Sequence, residues 1–514
     1  MASHMVQNAM HFLQELSLSV ALTLFASLEA YAIIKVVYNL FFHPLRSYPG
    51  PLLARSTVLV AQWQALRGHS HVWPHELHHK YGPVVRTKPN ELSFIDPQGW
   101  KDVFGHKPSN GIGPFAKNPS FYGPDIFGEP PGLIRADNVG HARQRKLVSH
   151  AFSERALREQ EELIRGYVVL LVKKLKETAT SVGKGRVNIV DWYNFTTFDI
   201  MADLTFGEPL NLLEGSNYTP WVRSLFGGIK AILFTQVLRV WPMLDFCLRA
   251  LLPQSVKEMQ KRHMRHTIDR VEKRMARKTD RPDIWTHLMR HSESDENKGK
   301  GLTTTEMHSN AGLFMLAGTE TTATELSGLT YLLLKSPERM ERLKNEVRSA
   351  FATPDEMTMV GLSQLRYLNA CLEEGMRMFP PVPIGAERKV PQGGAKVCGN
   401  WLPGGTIVIL PHFAAYHSPA NFKKPDEFIP ERWLPEGEEE FSDDKKDTLQ
   451  PFSHGPRNCL GKNLAYHEMR LVLANILWNF DMELCDPSMN WLDMKVWILW
   501  DKKPLMVKLT PVRA

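Results

Sequence analysis

Cys459 closes a run that no regular element can contain, Pro451-Phe452-Ser453-His454-Gly455-Pro456-Arg457-Asn458-Cys459-Leu460-Gly461, and precedes an apolar segment from Asn463 to Phe480. Glycine and proline break structure before it, while Leu464, Leu471, Leu473, Ile476 and Leu477 leave almost no polar face after it. A cysteine at the mouth of a buried helix meets unpaired N–H groups and a positive dipole end, which favour a thiolate and suit the sulfur to hold a metal. Gly455 and Gly461 permit close approach by a flat ligand, and Arg457 can face an anion. Taken alone, the same cysteine also reads as a small buried apolar residue.

Three other clusters carry charge or hydroxyls at suggestive spacing. His141 and Arg145 fall four apart ahead of Leu147, Val148 and Phe152, so they share one helix face, either a solvated basic stripe or an anion clamp. Glu374 and Arg377 are an i, i+3 pair whose flanks, Ala370, Leu372, Met376 and Phe379, point to burial. Ala317-Gly318-Thr319-Glu320-Thr321-Thr322 puts an acid and hydroxyls where glycine costs about 1 kcal/mol relative to alanine and threonines compete for backbone carbonyls. That weak spot is either a packing kink or a functional site.

Long helices must hold these groups. Thr303-x-x-Glu306 is a capping box, and the apolar pattern after it continues to Leu334 before Ser336-Pro337 starts a new helix. At about 1.5 Å per residue this helix spans nearly 50 Å and must cross the core. The Glu374 helix ends near Phe379-Pro380-Pro381. Val84 to Thr87 and Glu91 to Ile95 read as a hairpin about Lys88-Pro89-Asn90. Val397 and Thr406 to Leu410 read as strands around a Pro-Gly turn, and Trp497 to Leu499 as the start of a last hairpin turning at Asp501 to Pro504. Lys107 to Gly123, rich in Gly, Pro and Asn yet carrying Ile112, Phe115, Phe121 and Tyr122, is a binding lid or a hidden strand. Tyr218 to Pro253 is unusually apolar.

The pattern Phe-x-x-Gly-x-Arg-x-Cys-x-Gly from Phe452 to Gly461 resembles the haem loop of the cytochrome P-450 superfamily, the haem-thiolate monooxygenases. Three more of its motifs follow the same order: Glu320-Thr321, Glu374-x-x-Arg377, and Pro430-Glu431-Arg432-Trp433. The resemblance covers roughly residues 45 to 510 and implies a mainly α fold with a small β region. It makes Cys459 the axial ligand of haem b, with Phe452, Arg457 and Gly461 around it. His141, Arg145 and Arg388 would bind the haem propionates, and Glu374, Arg377 and Arg432 would form one buried structural network. Glu320 and Thr321 match the acid and the alcohol that relay protons during oxygen activation. Phe115, Phe121, Leu313, Phe314, Ala317, Val382, Ile384 and Ile498 fall where the family lines its substrate pocket. The implied reaction puts one atom of O2 into a small lipophilic molecule, with electrons from NADPH through a flavin reductase. Lys146, Lys423, Lys424 and Arg457 would offer that reductase a basic face. Tyr38 to Pro51 and His141 to Ser153 look most like filamentous-fungal enzymes of secondary metabolism, relatives of isotrichodermin hydroxylase among them. Oxidative coupling, cyclisation or desaturation, and a non-catalytic haem or lipid binder, are the rival readings. Retention of Glu320 and Thr321 argues against peroxide rearrangement.

The chain of 514 residues, 43% hydrophobic and 23% charged, has the balance of a large globular core, without linker or repeat. Cys247, Cys371, Cys398, Cys459 and Cys485 are odd in number and widely spaced, so neither a disulfide framework nor a zinc site is expected. Met1-Ala2-Ser3-His4 ahead of Met5 reads as a cloning remnant. Leu16 to Phe42 is apolar and long enough for a retained anchor, making residues 5–43 a membrane segment and 44–514 the haem domain. Lys35 and Arg46 place that domain on the cytosolic side of a single-pass protein, expected in the endoplasmic reticulum. Pro44, Pro49, Gly50 and Pro51 form a stiff neck. The net charge of +7 comes without a dense basic and aromatic patch, so no nucleic-acid partner is expected.

Overall fold

The computed structural model describes residues 2–106, 114–123, 131–180, 185–251, 254–277, 279, 281, 283–290, 300–486 and 489–513. The central helix, Thr304–Leu334, is capped as its sequence predicts: Thr303 Oγ1 accepts from Glu306 N at 3.2 Å, and Glu306 Oε2 accepts from Thr303 N at 3.1 Å. It packs against Ile189–Phe206, Arg366–Met378 and the cysteine helix, Lys462–Asn479. Gly318 has a packing reason, because a Cβ there would lie 2.7 Å from Met201 Sδ on the Ile189–Phe206 helix. Gly328 is likewise required by the Phe379 ring, into which a Cβ would run. The apolar stretch after Tyr218, which the resemblance would place as a roof over the active site, forms the roof helix Pro220–Arg239 and the shorter helix Pro242–Leu251.

In chain order the strands among the described residues are β1 (Val84–Lys88), β2 (Glu91–Phe94), β3 (Ala116–Lys117), β4 (Arg186–Asn188) and β5 (Arg388–Lys389). The remainder are β6 (Ala395–Val397), β7 (Asn400–Leu402), β8 (Ile407–Ile409), β9 (Phe480–Leu484) and β10 (Met506–Pro511). The main sheet runs β1-β2-β8-β5-β3, with β2 and β8 parallel and the other pairs antiparallel. It covers a second, smaller core of Leu45, Phe94, Trp100, Phe104, Phe115 and Val408. Phe115, expected at the substrate pocket, belongs to this core; β3 pairs with β5 and draws the residue before it inward.

Three local expectations change. The turn among the 395–410 strands lies at Cys398-Gly399, both at positive φ (46° and 80°), and β8 leaves to join the main sheet. No regular hairpin forms at Asp501 to Pro504; a single bridge joins Val496 to Trp500, and Ile498 turns the corner at φ 107°. Lys107 to Gly113 of the predicted lid, Ile112 included, lies outside the described residues, whereas the rest of that stretch forms β3 and one helical turn, Pro119–Tyr122. The neck is more than stiff. Arg86 is fully buried, donates to the carbonyls of Asn39 and Pro89, and takes Pro49 O on its own N–H at 2.7 Å, so the end of the amino-terminal helix is tied to β1.

Candidate active site

The loop before the cysteine helix is held open by backbone geometry. Ser453 and Gly455 adopt positive φ (61° and 72°), and a Cβ at Gly455 would collide with the carbonyl of Phe104. Cys459 N then donates to Phe452 O at 2.7 Å, and the Gly461 N–H points at the sulfur. Cys459 is accessible to solvent yet hemmed in by protein, which both hold if its sulfur looks into a cleft rather than into bulk water. Burial pushes the thiol up, and the Gly461 N–H, Arg145 and Lys462 only partly offset it. The helix end therefore does not make a thiolate unaided, contrary to what its position in the sequence suggests, and a bound metal would supply the missing stabilisation. Gly461 meets nothing within 4 Å on its Cβ side and has ordinary φ, so its use is to leave that side open.

Cations converge beside this loop. Helix Asn138–Val148, capped by Asp137, presents His141 and Arg145; Arg388 comes from β5, and Lys117 pairs with it from β3. Arg388 Nε and Nη1 and Arg457 Nη1 are buried without a partner. Burial, then Arg457, Arg145, Lys117 and Arg388, hold the His141 imidazole down at about 3. Burial with Arg388 and Arg457 brings Lys117 to about 6. A cluster that suppresses its own charge to this extent is built for an anion. Arg145 is already engaged, donating through both terminal nitrogens to the Asn458 carbonyl and, at 2.6 Å, to Asn458 Oδ1. It fixes the loop next to the sulfur.

On the central helix, Leu313, Ala317 and Thr321 are spaced by four and form one stripe. Ala317 is exposed although its helix crosses the core, so this stripe borders interior space. Thr321 Oγ1 donates to Ala317 O at 2.7 Å. Glu320 is buried on another face and pairs with Lys502 Nζ at 2.8 Å.

The Cytochrome P-450 family model matches residues 49–509. The chain belongs to the cytochrome P-450 family. It is 46% identical to the cytochrome P-450 monooxygenase efuB of Hormonema carpetanum over 93% of this chain and 94% of that one. It is 45% identical to the cytochrome P-450 monooxygenase FUM2 of Gibberella moniliformis, over 93% of this chain and all of the relative. With astJ of Aspergillus oryzae the identity is 42%, over 94% and 95% of the two chains.

The cytochrome P-450 haem fits the residues present. The sulfur of Cys459 opens on a cleft, the side of Gly461 is clear, and the unpartnered guanidinium donors of Arg388 and Arg457 suit two carboxylates. The five cysteines are all free. The structural network is complete. Arg377 donates to Glu374 at 2.8 and 2.9 Å, Arg432 Nε to Glu374 Oε1 at 3.1 Å, and Trp433 Nε1 to Glu374 Oε2 at 2.9 Å, with both arginines and the glutamate fully buried.

Other expected positions sort less evenly. Phe314 is buried in the main core, edge-on to Phe152 with ring centroids 5.4 Å apart. Phe121 lies beneath the roof helix, its carbonyl accepting from Gln236 at 3.2 Å. Val382 accepts from His412 Nδ1 through its carbonyl at 2.7 Å and leaves its side chain half-buried, as are Ile384 and Ile498. Phe452 packs against Tyr466 beside a surface cavity of about 450 Å³ that reaches the cysteine loop from outside. The supposed basic face is weaker than the sequence implied. Lys423 and Lys424 share Glu440, and Arg457 is turned onto Asn138 and the Ala136 carbonyl; Lys146 stays exposed. Sequence reasoning missed Lys117, on the two-residue strand β3, and Lys502, in an irregular loop, because neither stands in a periodic pattern that would mark it.

Proposed function

We propose that this cytochrome P-450 hydroxylates or epoxidises a small lipophilic metabolite of fungal secondary metabolism. A carbon–hydrogen bond, O2, two electrons and two protons give an alcohol and water, the electrons coming from NADPH through a flavin reductase. When bound, the haem supplies the oxygen-activating iron, with electron density from the thiolate of Cys459 favouring O–O cleavage. Arg388 and Arg457, with His141 and Arg145 alongside, would hold the propionates. Leu313 and Ala317 form a small apolar wall that orients substrate and excludes water. Thr321 donates the last hydrogen bond on the protein side, after giving up its present bond to the Ala317 carbonyl, and Glu320, ion-paired with Lys502 at rest, refills it only after leaving that pair and taking a proton from water. The surface cavity against Phe452 to Gly455 and Asn458 suits electron entry on that face.

The segment Leu22–Phe42 has a mean hydropathy of 1.4, is not buried by the rest of the chain, and is long enough to cross a membrane. We take residues 5–43 as a single anchor in the endoplasmic reticulum and 44–514 as a cytosolic domain. The exposed, enclosed sulfur of Cys459 beside unpartnered guanidinium groups carries this reading. After reduction, the purified chain under carbon monoxide should give a thiolate-type Soret band, and Cys459→Ser should abolish it without unfolding the protein. The same band in both proteins would end the assignment. Metabolite profiles of the fungal host with and without the gene then identify product, a coupled or desaturated compound turning the reaction type without touching the cofactor assignment.

A further inference from the structure

The loop after Ile498 sends one side chain across to the central helix. Lys502 Nζ donates to Glu320 Oε2 at 2.8 Å, to Thr324 Oγ1 at 3.0 Å and to Asn194 Oδ1 at 3.3 Å. These three acceptors use all three ammonium protons. Both charges are nearly dry, with side-chain exposures of 6% for Lys502 and 3% for Glu320. The other oxygen, Glu320 Oε1, is buried with no partner. Asn194 Nδ2 donates onward to Tyr218 Oη at 2.8 Å, and Tyr218 donates to Asp191 at 2.8 Å. An amide in mid-chain does not pass a proton, so this series is a scaffold that fixes the lysine rather than a wire.

The residue before Lys502 has its own attachment. Asp501 Oδ2 accepts from Lys230 Nζ of the roof helix at 3.0 Å and from the Trp497 indole at 3.1 Å. Two consecutive residues thus join the helix Pro220–Arg239 to the acid on the central helix. Between them, Ile498 at φ 107° keeps the loop in a tight corner that no repacking of a regular strand would reproduce.

We propose that Lys502 is the positioning residue of the proton relay, holding Glu320 away from Thr321 until the roof helix moves, with Lys230 and Asp501 transmitting that motion. The proposal rests on the monooxygenase reading. Glu320 now points its charge at Lys502 while Thr321 spends its hydrogen on Ala317 O, so neither faces the other in the resting arrangement. Freeing the acid requires the ammonium to move, and the one loop that carries the ammonium also carries the roof contact. Around Glu320 the ionisable neighbours among the described residues are Lys502 from this loop and Tyr218, which itself donates to Asp191, so removal of Lys502 takes away the cation paired with the carboxylate.

Infrared difference spectroscopy reads the pair without turnover. Lys502→Met should bring up a protonated-carboxyl band at neutral pH that the further change Glu320→Gln removes, because a dry carboxylate without its counter-charge takes a proton. In turnover, Lys502→Met should raise the ratio of hydrogen peroxide released to product formed roughly tenfold, part of the about 10²–10⁴ that a positioned acid contributes, and move the activity optimum to higher pH. Asp501→Asn sits on the half-exposed side of the loop and keeps the buried pair. It should leave the carboxyl region silent yet raise the peroxide ratio when substrate is bound. An unchanged carboxyl region in Lys502→Met, or an unchanged peroxide ratio in Asp501→Asn, overturns the proposal. Loss of the thiolate-type band in the unaltered enzyme would instead overturn the monooxygenase reading and leave the infrared result standing.

Discussion

Arg388 is the residue at which folding and cofactor binding pull in opposite directions. Its Nε and Nη1 are buried without acceptors, Arg457 adds a third such donor, and Lys117 and His141 are pressed toward neutrality beside them. An unpaired buried cation is a cost of several kcal/mol to the chain by itself and a gain once carboxylates face it. Arg388→Met should therefore stabilise the haem-free chain in thermal unfolding and weaken the haem complex. A lost hydrogen bond to a charged group is worth about 1.5–3 kcal/mol, so haem should transfer to an acceptor protein roughly tenfold to a hundredfold faster. Equal transfer rates would remove Arg388 from the propionate site. At this scale the sequence was legible where a residue stood in a fixed spacing, as Cys459, Arg457 and Glu374 do. Lys117 and Lys502 had no such frame, because their roles come from strand pairing with Arg388 and from a corner in an irregular loop.

Beyond Glu306 and Glu320, the central helix carries a third acid that the chemistry does not use. Glu325, one turn beyond Thr321, has both carboxylate oxygens buried and unpartnered, and its contact with the helix Arg366–Met378 is so close that a Cβ at Gly375 would run into it. Burial, reinforced by Glu373, pushes its pKa well above the usual carboxylate value, and burial alone does the same for Glu468 on the cysteine helix. The folded chain thus keeps protons that the unfolded chain releases above about pH 4.5, so these groups lower stability as pH rises, with a slope approaching 1.4 kcal/mol per pH unit for each, roughly. Glu325→Gln should flatten that slope: in denaturant unfolding followed from pH 4 to 8, the variant should gain over the parent toward pH 8 and match it near pH 4. A parallel pair of curves would mean that Glu325 is ionised in the fold. The helices themselves were plain from the capping box and the apolar periodicity, which are local. The last strands were not, since β10 pairs with Asn188 and neighbours more than three hundred residues away, and nothing near Met506 encodes that partner.

Over the whole molecule, apolar side chains gather on the side where the amino-terminal helix enters. Phe41 and Phe42 at its end, Leu59 and Trp63 on the helix Leu59–Leu66, and Met243 and Phe246 on Pro242–Leu251 are all exposed, the last two by 83% and 73%. Gln62 joins these helices, donating to Val237 O at 2.9 Å and accepting from the Trp241 indole at 3.0 Å, while Arg86 grips Asn39 O at the base of the anchor. Surfaces fixed to one another in this way meet a bilayer together, so the roof helix, and with it Lys230 and Asp501, would sit at the membrane face. A chain lacking residues 1–43 should consequently still sediment with phospholipid vesicles. Fully burying a large apolar side chain is worth about 1.5–3 kcal/mol, so Met243→Asp with Phe246→Asp should weaken that residual binding by roughly a hundredfold or more. The paired change in the full-length chain should leave it on the vesicles, held by the anchor, but slow uptake of a membrane-dissolved substrate. If the truncated chain instead stays in the supernatant, the exposed apolar face does not bind lipid and its placement at the membrane falls.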